Sequence, residues 1–390
     1  GQPGGGAGGG GPGEGGGADI RCGPFARAGS AGRGAGPVAL SRLPESRRVF
    51  LANGLIAAAG ACATPARLLA AGAGVGSRVV TRKNAATLRA NDPDLRSFRE
   101  AVRRMKRRPA SDARSWKSLA RHYATGCSDN AGHGSATFLA WHRAWLQLVE
   151  KALQLAGGNP QLALPYWDWT RHSTIPAAFR TAGDPLFSAA RQVKAEEELP
   201  PDFADVGPAM RAKSFDAFLG SPEPDLSDYP PAGLVERTVA SNVRHWIGGD
   251  MVSCASAALD PLYLAHCANL DRLWEAWREA WPEQSATPAA WTKTTLELPD
   301  PAGSKARFAL ADLIGATRLR YRYDSLDFRV NARKEPAANG ARRAVLEFER
   351  SRLPPLPASF RLFLNNRYAL PSTPPAGSTY AGTYTLFPVS

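Results

Sequence analysis

Three of the chain's six histidines, His122, His133 and His142, fall close together between aromatic-rich helical patterns. That grouping constrains the fold more than any other feature. His142 opens an amphipathic helix whose inward positions are Trp145, Leu146, Val149 and Leu153. His122 ends a helical stretch that starts at Ser115-Trp116, and His133 sits in a Gly-His-Gly-Ser loop. His133 and His142 are too far apart to be i,i+4 neighbours, so one must come from a loop and the other from a helix. Three neutral imidazoles brought together in this way suit copper, zinc or iron. The group holds no carboxylate, which disfavours the iron site built from two histidines and one carboxylate.

The flanking chain divides into four parts. Residues 1–36 are Gly-rich with few large apolar side chains, so they cannot offset their backbone entropy and are expected to be a disordered leader. The chain does not begin with Met, which suggests a reading frame opened upstream of the true start, or a fragment. Within 37–77, Ser46-Arg47-Arg48-Val49-Phe50-Leu51 precedes an Ala/Gly-rich apolar run and the small residues Ala71-Gly72-Ala73. That order reads as a twin-arginine export signal, giving a periplasmic or extracellular protein; the alternative is a buried helix after a basic turn. Residues 78–285 carry the helical patterns, with helices expected at 93–107, 113–124, 138–155 and 261–279. Residues 286–390 are expected to form a small β domain with strands at 306–310, 343–349, 360–364 and 379–387. It either packs over the site or completes the fold.

Composition excludes several classes. With 44% hydrophobic and 21% charged residues the chain is globular. No run of about 18 apolar residues exists, so no membrane span is expected. The net charge is +13, but the local cluster Arg103, Arg104, Lys106, Arg107 and Arg108 lies on the outer face of one amphipathic helix. That is a solvated face, and no nucleic acid is expected as a partner. Five cysteines form no CxxC pair and no dense disulfide pattern, and two of them, Cys22 and Cys62, lie in the leader region. Of Cys127, Cys254 and Cys267, at least one must be unpaired or chemically special.

Several separated motifs resemble one family. Ser115-Trp116, His122, Gly132-His133-Gly134-Ser135 and Phe138-Leu139-Ala140-Trp141-His142-Arg143 resemble the first copper site of the tyrosinase and polyphenol oxidase family. So do the flanks Pro109-Ala110-Ser111-Asp112 and Leu164-Pro165-Tyr166-Trp167-Asp168-Trp169-Thr170. Trp246-Ile247-Gly248-Gly249-Asp250-Met251, Asp260-Pro261 and Asn269-Leu270-Asp271-Arg272-Leu273-Trp274 resemble the frame of the second site. Tyr321-Arg322-Tyr323-Asp324 resembles the Tyr-x-Tyr mark that ends the catalytic domain. The resemblance implies a mainly α fold, a four-helix-bundle core with a dicopper-type site, each copper held by three histidines. It implies oxidation of phenols and o-diphenols to o-quinones by dioxygen, with a small phenol as substrate.

The second site departs from the family's pattern. Counting from Glu236 and from Gly248-Gly249, Ala240, Arg244 and Cys267 stand where that resemblance puts the ligand histidines. Ser241 stands where it puts an asparagine that works with Glu236, the expected catalytic carboxylate. The nearest replacements are His245, His266 and Cys267. His266 and Cys267 are about 100° apart on a helix, so the helical wheel leaves open which points inward. A buried Arg244 would stay charged and repel a metal. The family's thioether between a ligand histidine and a cysteine two residues earlier is not expected here, because Ala131 holds that place. The metal candidates are therefore His122, His133, His142, His245, His266 and Cys267, with one copper ion expected, or two if the second site is rebuilt. The alternatives to a phenol oxidase are a non-catalytic member of the fold, a protein with a single copper, or a structural zinc site.

Overall fold

The computed structural model describes residues 79–128, 133–223, 231–300, 304–330 and 357–386, apart from 365, 367–368, 371 and 376–378. The Gly-rich leader, the arginine-pair segment 37–77 and the expected strand 343–349 lie outside the described residues. The described helices are α1 (Pro93–Arg107), α2 (Trp116–Ser128), α3 (Phe138–Gly157), the short α4 (Gly207–Met210) and α5 (Phe215–Leu219), α6 (Ser241–Ile247), α7 (Pro261–Ala280) and α8 (Ala289–Thr292). The fold is mainly α, as the patterning implied.

Local chemistry sets the ends of these helices. Asp92 accepts from the Asp94 N–H, and Pro93 fills the first turn of α1, where its missing N–H has no cost. Asp260 does the same for α7, accepting from the Leu262 N–H at 2.9 Å ahead of Pro261. Arg191 grips the same carboxylate with two nitrogens at 2.7 Å each. α3 stops at Gly158, whose φ of 67° is left-handed.

α2, α3, α6 and α7 form the core that carries the histidines. Tyr123 on α2 contacts the rings of Trp141 and Trp145 on α3 and of Tyr263 on α7. α1 packs outside α3 through Phe98, Ala101, Val102 and Met105, all buried. The basic cluster on its far side is engaged locally: Arg103 and Arg104 pair with Glu100, and Lys106 donates to the Pro185 carbonyl.

α6 was not legible as a helix. It follows a π-helical turn, Glu236–Ala240, a distortion often found at functional sites. Its buried face carries Asn242 and Arg244 beside Val243 and Ile247, so no apolar stripe marks it. The helix ends at Gly248-Gly249, with φ of 69° and 57°. A Cβ on Gly249 would lie 1.9 Å from the Ala190 carbonyl oxygen, which explains why glycine stands there.

The described strands pair two by two. β1 (Val80–Arg82) pairs in parallel with β4 (Tyr321–Tyr323), tying the start of the described chain to the Tyr-x-Tyr motif. β2 (Thr295–Pro299) pairs antiparallel with β3 (Lys305–Ala309), and β5 (Ala358–Phe363) pairs antiparallel with β6 (Tyr380–Leu386). These are three separate two-stranded sheets among the described residues. β6 lies against α6, where Asn242 donates to the Thr383 carbonyl at 2.9 Å and accepts from the Thr385 hydroxyl at 2.8 Å. Among the described residues no helix is long and apolar enough to cross a membrane.

Candidate metal centre

His142 is fixed by its own helix. Its Nδ1–H donates to the Phe138 carbonyl one turn earlier at 2.8 Å, which leaves Nε2 as the lone-pair atom. His133 is fixed by Glu236. Glu236 Oε1 accepts from the Gly134 N–H at 2.7 Å and lies 3.1 Å from His133 Nδ1, so Nδ1 carries the hydrogen and Nε2 is again free. The two imidazole rings stand edge to face, 5.2 Å apart between centroids. Burial holds His133 well below its ordinary value, with the Arg244 charge adding to it. Burial, His133 and Arg244 do the same to His142 against the Phe138 hydrogen bond. Both rings are therefore neutral at neutral pH, the form that binds metal.

The two Nε2 atoms face phenols. The Tyr123 hydroxyl lies 3.1 Å from His133 Nε2 and 3.4 Å from His142 Nε2. The Tyr263 hydroxyl lies 3.2 Å from His142 Nε2 and 2.5 Å from the Tyr123 hydroxyl. Two phenol hydrogens thus serve the phenol–phenol contact and the two imidazole lone pairs, one bond fewer than a fully satisfied set. Burial pushes both phenols up, so both keep their protons.

His122 is not brought to this pair. It is half-buried, its Nδ1 has no hydrogen-bond partner, and it makes no ring contact with His133 or His142. Its neighbour Tyr123, about 100° round the helix, points inward instead. The signal was present in the sequence. Trp116, Leu119, Ala120, Tyr123 and Cys127 form the apolar stripe of α2, and all are buried. His122 is off that stripe. Tyr263 gave no such signal, because α7 is buried almost all round.

At the second-site positions Ala240 is buried and has no donor atom. Arg244 points inward. Its Nε donates to the Met251 carbonyl at 2.8 Å, and its guanidinium lies 5.5 Å from the centre of the Tyr263 ring. Its charge depresses His133, His142 and His266 together. His245, one residue on, is half-buried, and burial alone lowers it. Cys267 is a free, buried thiol that burial pushes up to about 12, against the Tyr263 hydrogen bond and Arg244. His266 is fully buried, and burial with Arg244 and His142 brings it down to about 3, against a hydrogen bond with the Ala240 backbone. The Ser241 hydroxyl bonds back to the Glu236 carbonyl at 2.7 Å, away from that residue's carboxyl. Cys127 and Cys254 form a disulfide, which leaves Cys267 as the free cysteine among the described residues.

Glu236 supplies a test of this geometry. Burial pushes it up to about 7 from its ordinary 4.5, against hydrogen bonds from Gly134 and Ser135 and the Arg244 charge. Between those values the unfolded chain has lost a proton that the folded chain keeps. Stability is therefore full below the lower value and falls as pH rises through the upper one, by at most about 3 kcal/mol. The depressed histidines act in the opposite sense: their contribution is full above their ordinary 6.5 and is lost as pH falls. Glu236→Gln separates the two. In metal-free protein, the stability of the parent relative to this variant should fall across the window from 4.5 to 7 and then stay level. A difference independent of pH in denaturant unfolding would contradict the buried carboxyl.

Comparison with known proteins agrees with this frame. Residues 111–221 and 210–280 match the common central domain of tyrosinase. The chain is 28% identical over 284 residues to a tyrosinase of Streptomyces glaucescens, covering 63% of this chain and 100% of that one. It is 26% identical over 279 residues to a chloroplastic polyphenol oxidase of Vitis vinifera, covering 60% of this chain. It spans only 45% of that enzyme's length. The solved structure of a latent apple tyrosinase superposes with a TM-score of 0.57 at 24% identity, covering 65% of this chain and 64% of that one. That last likeness is one of fold.

Proposed function

From the premise that the chain belongs to the tyrosinase and polyphenol oxidase family, whose cofactor is copper, we propose that it holds at most one copper ion and does not oxidise phenols by the paired-copper route. The residues present do not fit a copper pair. Ala240 and Arg244 offer no ligand, and Cys267 puts a buried thiol where the family has an imidazole. The observation that carries this reading is the buried guanidinium of Arg244 at a position where the family has a ligand. A permanent cation there opposes every metal ion nearby.

His133 and His142 fit a single ion. Their Nε2 atoms are neutral and oriented, by Glu236 and the Phe138 carbonyl respectively. A copper held there would supply one-electron chemistry, and imidazole nitrogens suit copper as ligands. Tyr123 and Tyr263 would have to give up their hydrogen bonds to both rings. Those bonds stabilise the metal-free centre and weaken its hold on copper.

Export by the twin-arginine route is part of the same proposal, since the Cys127–Cys254 disulfide suits an oxidising compartment.

The test is copper loading followed by metal analysis and electron paramagnetic resonance. No more than one copper per chain, fully visible as an isolated cupric signal after oxidation, is expected. Two coppers per chain with a silent, coupled spectrum would overturn the proposal.

A further inference from the structure

Three donor groups meet beside the centre. Cys127 stands in the last turn of α2, Cys254 follows the short 3-10 helix Gly249–Val252, and His133 lies in the loop before α3. Both sulfurs and one ring nitrogen of His133 lie within 4.8 Å of one another. Tetrahedral zinc, with Zn–S of about 2.3 Å and Zn–N of about 2.0 Å, needs donors roughly 3.5–3.8 Å apart. The 4.8 Å bound leaves the nitrogen about 1 Å or less to move, and reduced sulfurs need only separate by about 2 Å from bonding distance.

We propose that reduction of the Cys127–Cys254 disulfide opens a Cys2His site for one thiophilic divalent cation, such as zinc, and that oxidation closes it. The oxidised sulfurs share their electrons in the S–S bond and offer no thiolate, which is the form a metal needs. A dithiol reductant gives two electrons and two protons, becomes a disulfide itself, and leaves Cys127 and Cys254 as thiols. Metal binding then releases those two protons, because both sulfurs bind as thiolates while neutral His133 keeps its Nδ1–H on Glu236. That hydrogen bond orients the ring as carboxylates do for metal-bound histidines. Cys254 and His133 are half-buried rather than sealed, so reductant and metal have access. Cys267, fully buried against Tyr263, takes no part. The proposal does not rest on the single-copper reading, although the two would compete for His133.

The experiment uses full-length, copper-free chain and Co2+ as the probe. A phosphine reductant opens the disulfide, taking the oxygen of one water as it becomes its oxide. The reduced chain should bind one Co2+ with an intense thiolate-to-cobalt absorption band, and the oxidised chain should show none. Cys127→Ser and Cys254→Ser should each abolish the band, and His133→Ala should weaken binding at least about tenfold. Bound Co2+ should also protect two thiols from alkylation, which peptide mapping should identify as Cys127 and Cys254. This last readout holds even where a serine variant folds poorly. Absence of the band in the reduced parent overturns the site. So does protection mapping to Cys22, Cys62 or Cys267, or unchanged affinity in His133→Ala.

Discussion

Exchanging Asp271 for asparagine should lower the free energy of unfolding by about 3–5 kcal/mol. Asp271 is the hub of a buried network that joins β1, α3, α7 and β4. It pairs with Arg143 on α3, and with Arg82 on β1 at 3.3 Å. It also accepts from the hydroxyls of Tyr321 and Tyr323 at 2.6 and 2.5 Å. Arg82 lies 3.7 Å from the Tyr321 ring centre and also pairs with Glu150 at 3.0 Å. Both guanidiniums are wholly buried. Burial alone would raise the Asp271 carboxyl, but Arg143, Arg82 and the two tyrosines hold it below its ordinary value. An amide has one acceptor where the carboxylate has two, and its NH2 would face donors. Because domains are stable by only about 5–15 kcal/mol, such a loss takes a large part of the margin. Urea unfolding at neutral pH measures it. The depressed carboxyl also means that its contribution is full at neutral pH and is lost as pH falls through its folded value. A loss below about 1 kcal/mol would mean that the network adds no net stability.

Arg244→Leu should tighten cuprous copper about tenfold to a hundredfold. Charges roughly 6–10 Å apart, at an effective dielectric of about 20, repel by about 1.5–3 kcal/mol per unit pair. The same substitution should raise the depressed His133 and His142 toward their ordinary values, since Arg244 is one cause of both shifts. Arg244→Lys keeps the charge and should leave copper binding weak. Competition with a colorimetric chelator gives the affinities. Equal affinity in parent and Arg244→Leu would mean that the guanidinium does not govern the centre. Leucine is used because it adds no ligand of its own.

The helical frame was legible because its periodicity is strong. Phe98, Val102 and Met105 mark α1, and the caps Asp92-Pro93 and Asp260-Pro261 mark two helix starts. The motifs also carried the family. The centre itself was harder to read. His133 and His142 are grouped in the sequence and their ring centroids lie 5.2 Å apart, but the place of His122 depends on a rotation of one residue on α2. There the apolar stripe Trp116, Leu119, Ala120, Tyr123 and Cys127 decides for Tyr123. The inward turn of Arg244 rather than His245 follows the register counted from Glu236 and Gly248-Gly249, whereas the π-helical turn Glu236–Ala240 has no sequence mark. The Cys127–Cys254 disulfide joins residues 127 positions apart, a pairing that only the tertiary fold makes visible.

The account turns on whether this centre can carry out two-electron oxidation of a phenol. The direct measurement is dioxygen uptake with catechol by the copper-loaded chain, against the same chain without copper. No catechol-dependent uptake above the copper-free control is the expected result, because the proposed reading rests on Ala240 and Arg244 offering no donor at the second-site positions. Sustained uptake with quinone formation, abolished by His142→Ala, would contradict it and would mean that the chain builds a working pair from other groups.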